Sequence, residues 1–258
     1  MVKSVKSLLS CFIAVFCLSM TTQLLAVDAS SLVNIAGQQR MLSQKIVKAY
    51  FFQGERIRTR KARKQVKESI ALFYKNHQTL LLEISDPTIK QLLDFIGISI
   101  DELEGITQQK YSQKNAARML ALSESLLEVS HSIVEKVEAT LGLQKVIIVG
   151  EAGRQRMLSQ RIAKYYIAYQ AGFKDPEIIA QLNEAVKQFE VAQKRLMNSP
   201  ENTPEITREL ERVQGLWVVV RAFFLNIEKG GLPVTVFSTC DSILKHMNKI
   251  TMLYVARG

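Results

Sequence analysis

AGQQRMLSQKIVKAY, at residues 36–50, recurs 116 positions later as AGRQRMLSQRIAKYY, at residues 152–166. Eleven of the fifteen aligned residues are identical, which indicates an internal duplication. Apolar positions continue to align at the same offset and then, after one inserted residue, at an offset of 117. The duplication therefore covers nearly all of the chain, as a first copy at 30–141 and a second copy at 146–258.

The apolar residues of each copy follow a helical period. Leu42 and Ile46, for example, lie four residues apart, and no convincing alternation by two occurs. Proline follows Asp86, Asp175 and Thr203, and a capping residue before proline marks the start of a helix. We predict four helices in each copy, at about 30–54, 61–84, 87–109 and 113–140, and at about 146–171, 176–198, 204–229 and 233–256.

This pattern predicts an all-α fold made of two tandem four-helix up-down bundles that form an intrachain pseudo-dimer. We expect the bundles to lie side by side, with the helices of 30–54 and 146–171 in contact and the chain turning back near Gly142. The alternative is one helix from about 113 to 171, roughly 90 Å long. That helix would stack the bundles end to end and separate their first helices by tens of ångströms.

The first 26 residues resemble a signal peptide. Two lysines precede an apolar run at residues 8–20, which is shorter than the roughly 20 residues of a membrane-spanning helix. We expect cleavage after Ala26, with Ala29 as the alternative, and export to the periplasm. The net charge of +10 would suggest nucleic acid as a partner, but export argues against it.

Several functional classes lack their sequence signatures. Cys240 is the single cysteine after the predicted leader, which excludes an internal disulfide and a cysteine-ligated zinc site. The three histidines are scattered, without the spacing of metal ligands. The sequence contains no glycine-rich phosphate loop, nucleophile elbow or convergent acid pair. We therefore expect neither an enzyme nor a cofactor.

The duplicated motif contains the candidate site. On a helix, Ala36, Arg40 and Ser43 share one stripe, and Gly37 overlaps it. A glycine inside a helix costs about 1 kcal/mol relative to alanine, and the usual reason for it is close approach of a second helix. The motif therefore predicts a helix–helix contact that contains an arginine.

No acidic residue lies within four positions of Arg40, and Glu151, five positions before Arg156, is not on the same helix face. Two explanations remain open. Each guanidinium is paired at the surface with an acid from elsewhere, or the two bind an external planar oxyanion, which suits the fork of an arginine.

The motif resembles the signature of the N-terminal sensor domain of type IV pili methyl-accepting chemotaxis transducers, and is similar to the periplasmic segment of nitrate/nitrite sensor kinases. The family pattern, roughly Asn-x-Ala-Gly-x-x-Arg-Met-x-Ser, appears at residues 34–43. The second copy matches from Ala152 through Ser159, but has Gly150 and Glu151 in place of the first two residues. Trp217 fits the leucine–tryptophan pair of the family, where the first copy has Ile100.

The resemblance implies a four-helix bundle that senses nitrate or nitrite, with one anion held by an arginine from each of two first helices. If the anion site of the family is transferred to the matching positions of this sequence, it lies within one chain. It would then comprise Arg40, Arg156, Gly37, Gly153, Ala36, Ala152, Ser43 and Ser159. No second membrane span, kinase or methyl-accepting region follows, so we expect a membrane sensor or transducer as a partner. The alternative is a structural adaptor that has lost ligand binding and acts by protein contact in the cell envelope or the pilus machinery.

A basic run, from Arg56 to Lys67, follows the first predicted helix, and the second copy has only Lys174 in that region. Such a run is typical of a solvated face. The alternative is contact with an acidic partner or with an anionic membrane surface.

Overall fold

The computed structural model describes residues 28–141 and 144–257, and every regular element within those ranges is helical. The predicted leader and the predicted turn at Gly142 lie outside the described residues. The helices are α1 (Ala29–Gly54), α2 (Thr59–Glu83), α3 (Pro87–Thr107), α4 (Gln113–Leu141), α5 (Gln144–Gln170), α6 (Pro176–Met197), α7 (Pro204–Leu225) and α8 (Pro233–Val255). A short 3₁₀ helix, Ile227–Lys229, precedes α8. Among these helices none is long and apolar enough to span a membrane.

The predicted helix starts are confirmed at three prolines. The side chains of Asp86, Asp175 and Thr203 accept hydrogen bonds from backbone amides of the first turns of α3, α6 and α7. The largest difference from the predicted bounds is at the end of α7. This helix stops at Leu225 because Asn226 leaves the helical conformation, and the chain continues as the 3₁₀ helix instead of reaching residue 229.

Each repeat forms a four-helix ring. Helices α1 to α4 pack in sequence and close through α1 against α4, and α5 to α8 close in the same way through α5 against α8. Leu42 and Ile46, and their counterparts Leu158 and Ile162, are fully buried. The side-by-side arrangement is confirmed, because α1 packs extensively along α5.

Helices α1 and α5 run parallel, since residues at equivalent positions meet across the contact. The four connections α1–α2, α3–α4, α5–α6 and α7–α8 therefore lie at one end of the molecule, which we call the turn end. There, Phe51 contacts Phe173, with ring centroids 5.5 Å apart, and the side chain of Gln113 donates to the carbonyl of Ala171 at 3.0 Å. The opposite end contains both termini of the described chain.

Candidate functional site

The duplicated motif places two arginines inside the α1–α5 contact. Arg40 is 3% exposed and Arg156 is 1% exposed. The sequence interpretation in which each arginine lies at the surface, paired with an acid, is therefore wrong. Neither guanidinium forms a salt bridge with a residue in the described ranges. Both cations are thus held at the centre of the molecule by neutral groups.

The two glycines of the motif make room for these guanidinium groups. A methyl group on Gly37 would lie 3.4 Å from Nη2 of Arg156 and 3.6 Å from Nη2 of Arg40. On Gly153 it would lie 3.1 Å from Nη2 of Arg156 and 3.8 Å from Nη2 of Arg40. The sequence predicted glycines that allow a close approach, and the atoms that approach them are the two arginine side chains.

Arg156 donates to the first helix of the other repeat and to its own last helix. Its Nη1 lies 2.8 Å from Oδ1 of Asn34 and 3.4 Å from Oδ1 of Asn248, and its Nη2 lies 3.4 Å from the carbonyl of Asn34.

Arg40 makes the corresponding contacts on the other side of the pseudo-twofold axis. Its Nη2 lies 3.3 Å from the carbonyl of Gly150, and its Nη1 lies 3.2 Å from Nδ1 of His131. Gly150 aligns with Asn34 and His131 with Asn248, so the two halves of the site share a geometry but differ in chemistry.

Burial and neighbouring positive charge disfavour the charged state of both arginines. Burial lowers the pKa of Arg40 to about 10, against the attraction of Glu138 and Glu135. Burial, together with the charge of Arg40, lowers the pKa of Arg156 to about 9. In both arginines the Nε–H is buried and has no hydrogen-bond acceptor among the described residues.

The other predicted site residues have simpler surroundings. Ala36 and Ala152 are buried in the helix contact. The hydroxyl groups of Ser43 and Ser159 each donate, at 2.8 Å, to the carbonyl of the arginine three residues earlier in their own helix. Each hydroxyl also accepts a hydrogen bond from the glutamine that follows it in the sequence. Both serines thus form their hydrogen bonds with residues of their own helix.

Arg40 also lines two grooves between α4, α5 and α6. One, of about 350 Å³, is bordered by His131, Glu138 and Arg154. The other, of about 310 Å³, continues toward Glu124. The side chain of Arg40 therefore borders two grooves on the α4–α6 side of the contact.

Sequence reasoning missed two ion pairs, each with a fully buried lysine, that cross between the repeats. Nζ of Lys48 lies 2.6 Å from Oδ1 of Asp241 and 2.7 Å from Oε1 of Gln160. Reciprocally, Lys164 pairs with Glu124. In each pair a lysine on the first helix of one repeat meets an acid on the last helix of the other.

A signal for these pairs was present in the sequence. Lys48 and Lys164 are identical residues of the duplicated motif, and Glu124 and Asp241 align at the offset of 117. Burial opposes the ionisation of Glu124, but Lys164 and Arg161 outweigh it and lower its pKa to about 2. The matched acids on α4 and α8 were thus the partners to expect for lysines on a buried stripe.

No curated protein and no solved structure matches this chain. The family model described as type IV pili methyl-accepting chemotaxis transducer N-term matches residues 25–132 and 147–235, once in each repeat and over more than half of the chain in total. The chain therefore belongs to the family of type IV pili methyl-accepting chemotaxis transducer N-terminal domains, present here as a tandem pair.

Proposed function

We propose that this chain is a periplasmic sensing module that binds nitrate or nitrite between α1 and α5 and reports it to a membrane-associated signalling partner. The site comprises Arg40 and Arg156 as donors, with Gly37 and Gly153 leaving the space that the guanidinium groups occupy. The export predicted from the first 26 residues and the sensory family support the periplasmic assignment.

The observation that carries the proposal is the pair of orphaned Nε–H groups on Arg40 and Arg156. A buried donor without an acceptor costs about 1–3 kcal/mol, and here the cost occurs twice at equivalent positions. An acceptor brought by a ligand removes it. A planar oxyanion has several oxygens in one plane and therefore suits two arginine forks.

Binding would also change the contact between the repeats. Each Nη2 lies within 3.6 Å of the same point beside Gly37, so the two are at most about 7 Å apart. Like charges 4–7 Å apart repel by about 2–4 kcal/mol at an effective dielectric of about 20. An anion between them replaces this repulsion with two attractions. It would tighten α1 against α5, and such a difference between the free and bound states is what a sensor requires.

Calorimetric titration with nitrate, nitrite, sulfate and chloride, alongside thermal melts, tests the proposal. We expect nitrate or nitrite to raise the melting temperature. Arg40→Ala and Arg156→Ala should each remove most of that rise, and the double variant should bind little worse than either single variant, because one site uses both groups. Arg40→Lys should also bind poorly, since an ammonium cannot form a bidentate fork.

Arg154→Ala is the matched control, because Arg154 is an exposed arginine beside the same groove. It should keep the nitrate response. If Arg40→Ala and Arg156→Ala kept it as well, the anion site would be wrong. The neutral acceptors that already hold both arginines would then favour the structural adaptor, in which these contacts only join the repeats.

A further inference from the structure

A cluster of exposed cations follows α1 at the turn end. Lys61 pairs with Asp241 and Lys64 with Glu68. The other cations of the run form no salt bridge within the described part of the chain. These are Arg56, Arg58, Arg60, Arg63 and Lys67, which we call the basic cluster, and all five are exposed.

The second repeat shows what the backbone prefers at this turn. Arg56 has a φ of 58°, and the aligned residue in the second repeat is Gly172, with a φ of 99°. Glycine adopts a left-handed conformation without strain, whereas a residue with a Cβ is disfavoured there. Arg58, with a φ of 50°, is a second left-handed arginine in the same turn. The first repeat thus retains arginine where glycine would be more stable.

The start of α2 is unfavourable in a second way. Arg58 occupies its N-cap position without a side-chain cap, and Arg60 and Lys61 follow in the first turn. Cations there oppose the helix dipole. In the second repeat, α6 begins with the capping residue Asp175 and has Glu177 in its first turn. The two repeats share a fold, so the helical bundle does not require this charge.

The cluster belongs to a wider difference between the two ends of the molecule. The turn-end segments 54–64, 107–114, 170–177 and 225–233 contain ten lysines and arginines and four acids. The opposite-end segments 28–31, 83–87, 197–204 and 255–257 contain one arginine and four acids. The excess positive charge is in the two turn-end connections of the first repeat: segment 54–64 has six cations and one acid, and segment 107–114 has two cations and no acid.

Apolar side chains are exposed at the same end. Leu232 is 60% exposed and Val234 is 43% exposed, where α8 begins. One turn further along α8, the ring of Phe237 lies 5.0 Å from Nζ of Lys61, so this apolar edge adjoins the basic run. Leu225, at the end of α7, is 47% exposed.

We propose that the turn end docks on the surface of an anionic lipid bilayer, with the basic cluster against the headgroups and Leu232 and Val234 in the interface. An extended anionic surface matches cations that are spread over both turn-end connections of the first repeat. Adjacent apolar side chains add the second attraction that stable surface binding needs. This surface lies about 20 Å along α1 from Arg40, because 14 helical residues separate them, so it is distinct from the proposed anion site.

Vesicle co-sedimentation tests the proposal with the chain that begins at Val27, the form expected after leader cleavage. We expect binding to vesicles of phosphatidylcholine with 30% phosphatidylglycerol at about 50 mM salt. Binding should be lost at about 500 mM salt, where charges are screened. Pure phosphatidylcholine vesicles should bind far less.

Three variants locate the contact. Replacing Arg58, Arg60 and Arg63 with glutamine should weaken partitioning about a hundredfold, since each cation contributes roughly fivefold. The control replaces Lys75, Lys90 and Lys194, exposed lysines away from the turn end, with glutamine and should weaken it no more than about twofold. Leu232→Ser with Val234→Ser should weaken binding without abolishing its salt dependence.

Arg56→Gly separates binding from folding. It should raise the melting temperature by about 2–4 °C by relieving the left-handed strain, while lowering vesicle binding. The triple glutamine variant should show the same response to nitrate as the wild-type chain, because the basic cluster is separate from the proposed anion site. The vesicle result therefore does not depend on whether the anion site is correct. The proposal is wrong if the wild-type chain does not bind anionic vesicles at low salt, and that result would favour an acidic protein partner. It is also wrong if the control variant loses binding as fully as the cluster variant.

Discussion

Nζ of Lys48 lies 2.6 Å from the carboxylate of Asp241, which ties the first helix of one repeat to the last helix of the other. Lys164 and Glu124 form the reciprocal pair. Because both lysines are fully buried, each requires the acid supplied by the opposite repeat. The interface is therefore a matched, polar one that neither repeat could complete alone.

Asp241→Asn should lower the free energy of unfolding by about 3 kcal/mol, because it leaves the Lys48 ammonium buried without a counter-charge. Urea denaturation measures the loss. Glu68→Gln is the control, since it removes an exposed ion pair with Lys64 and should cost less than about 0.5 kcal/mol. Equal losses in the two variants would show that the buried pair does not stabilise the repeat contact.

Glu124 should make stability sensitive to acid. Its pKa is lowered from 4.5 to about 2 in the folded chain, so its contribution is present above pH 4.5 and is lost as the pH falls toward 2. Because the carboxylate is partly exposed, the contribution is about 1–2 kcal/mol. Unfolding measured between pH 2 and 6 should show a smaller pH dependence in Glu124→Gln than in the wild type. Identical slopes would contradict the prediction.

Gly153→Ala should disturb the arginine pair, because the new methyl group would lie 3.1 Å from Nη2 of Arg156. We expect a folded chain with a weakened nitrate response. Gly215→Ala is the control: a methyl group there meets no atom within 4 Å, and the substitution should stabilise α7 by up to about 1 kcal/mol. A normal nitrate response in Gly153→Ala would show that the glycine is not needed for the site.

His131 should make anion binding depend on pH. Burial and the charge of Arg40 lower its pKa, so at pH 7 the ring is neutral and Nδ1 accepts from Arg40. A bound anion favours the protonated ring, while Glu135, Glu138 and Arg154 complete its surroundings. We expect nitrate affinity to rise as the pH falls from 7 to 5.

His131→Asn tests this dependence, because it gives the first repeat the residue that the second has at Asn248. Calorimetric titration at several pH values should show a nearly flat profile for the variant. A profile as steep as that of the wild type would assign the pH dependence to another group.

Much of the fold followed from local rules. The duplicated motif indicated two copies, the apolar period indicated helices, and three capping residues before proline located helix starts to within a residue. These features depend on neighbours along the chain, as does the helical stripe that selected Arg40 and Arg156. They could therefore be predicted from the sequence alone.

The contacts across the repeats were decided only by tertiary structure. That α1 lies against α5, that Lys48 meets Asp241, and that the guanidinium groups occupy the space left by Gly37 and Gly153 all depend on residues about 110 to 190 positions apart. No local rule distinguished bundles side by side from bundles end to end. The sequence by itself determined the helices and their buried stripes. Packing decided which stripes meet, because the other repeat supplies the acids that both buried lysines require and part of the acceptors that hold both arginines.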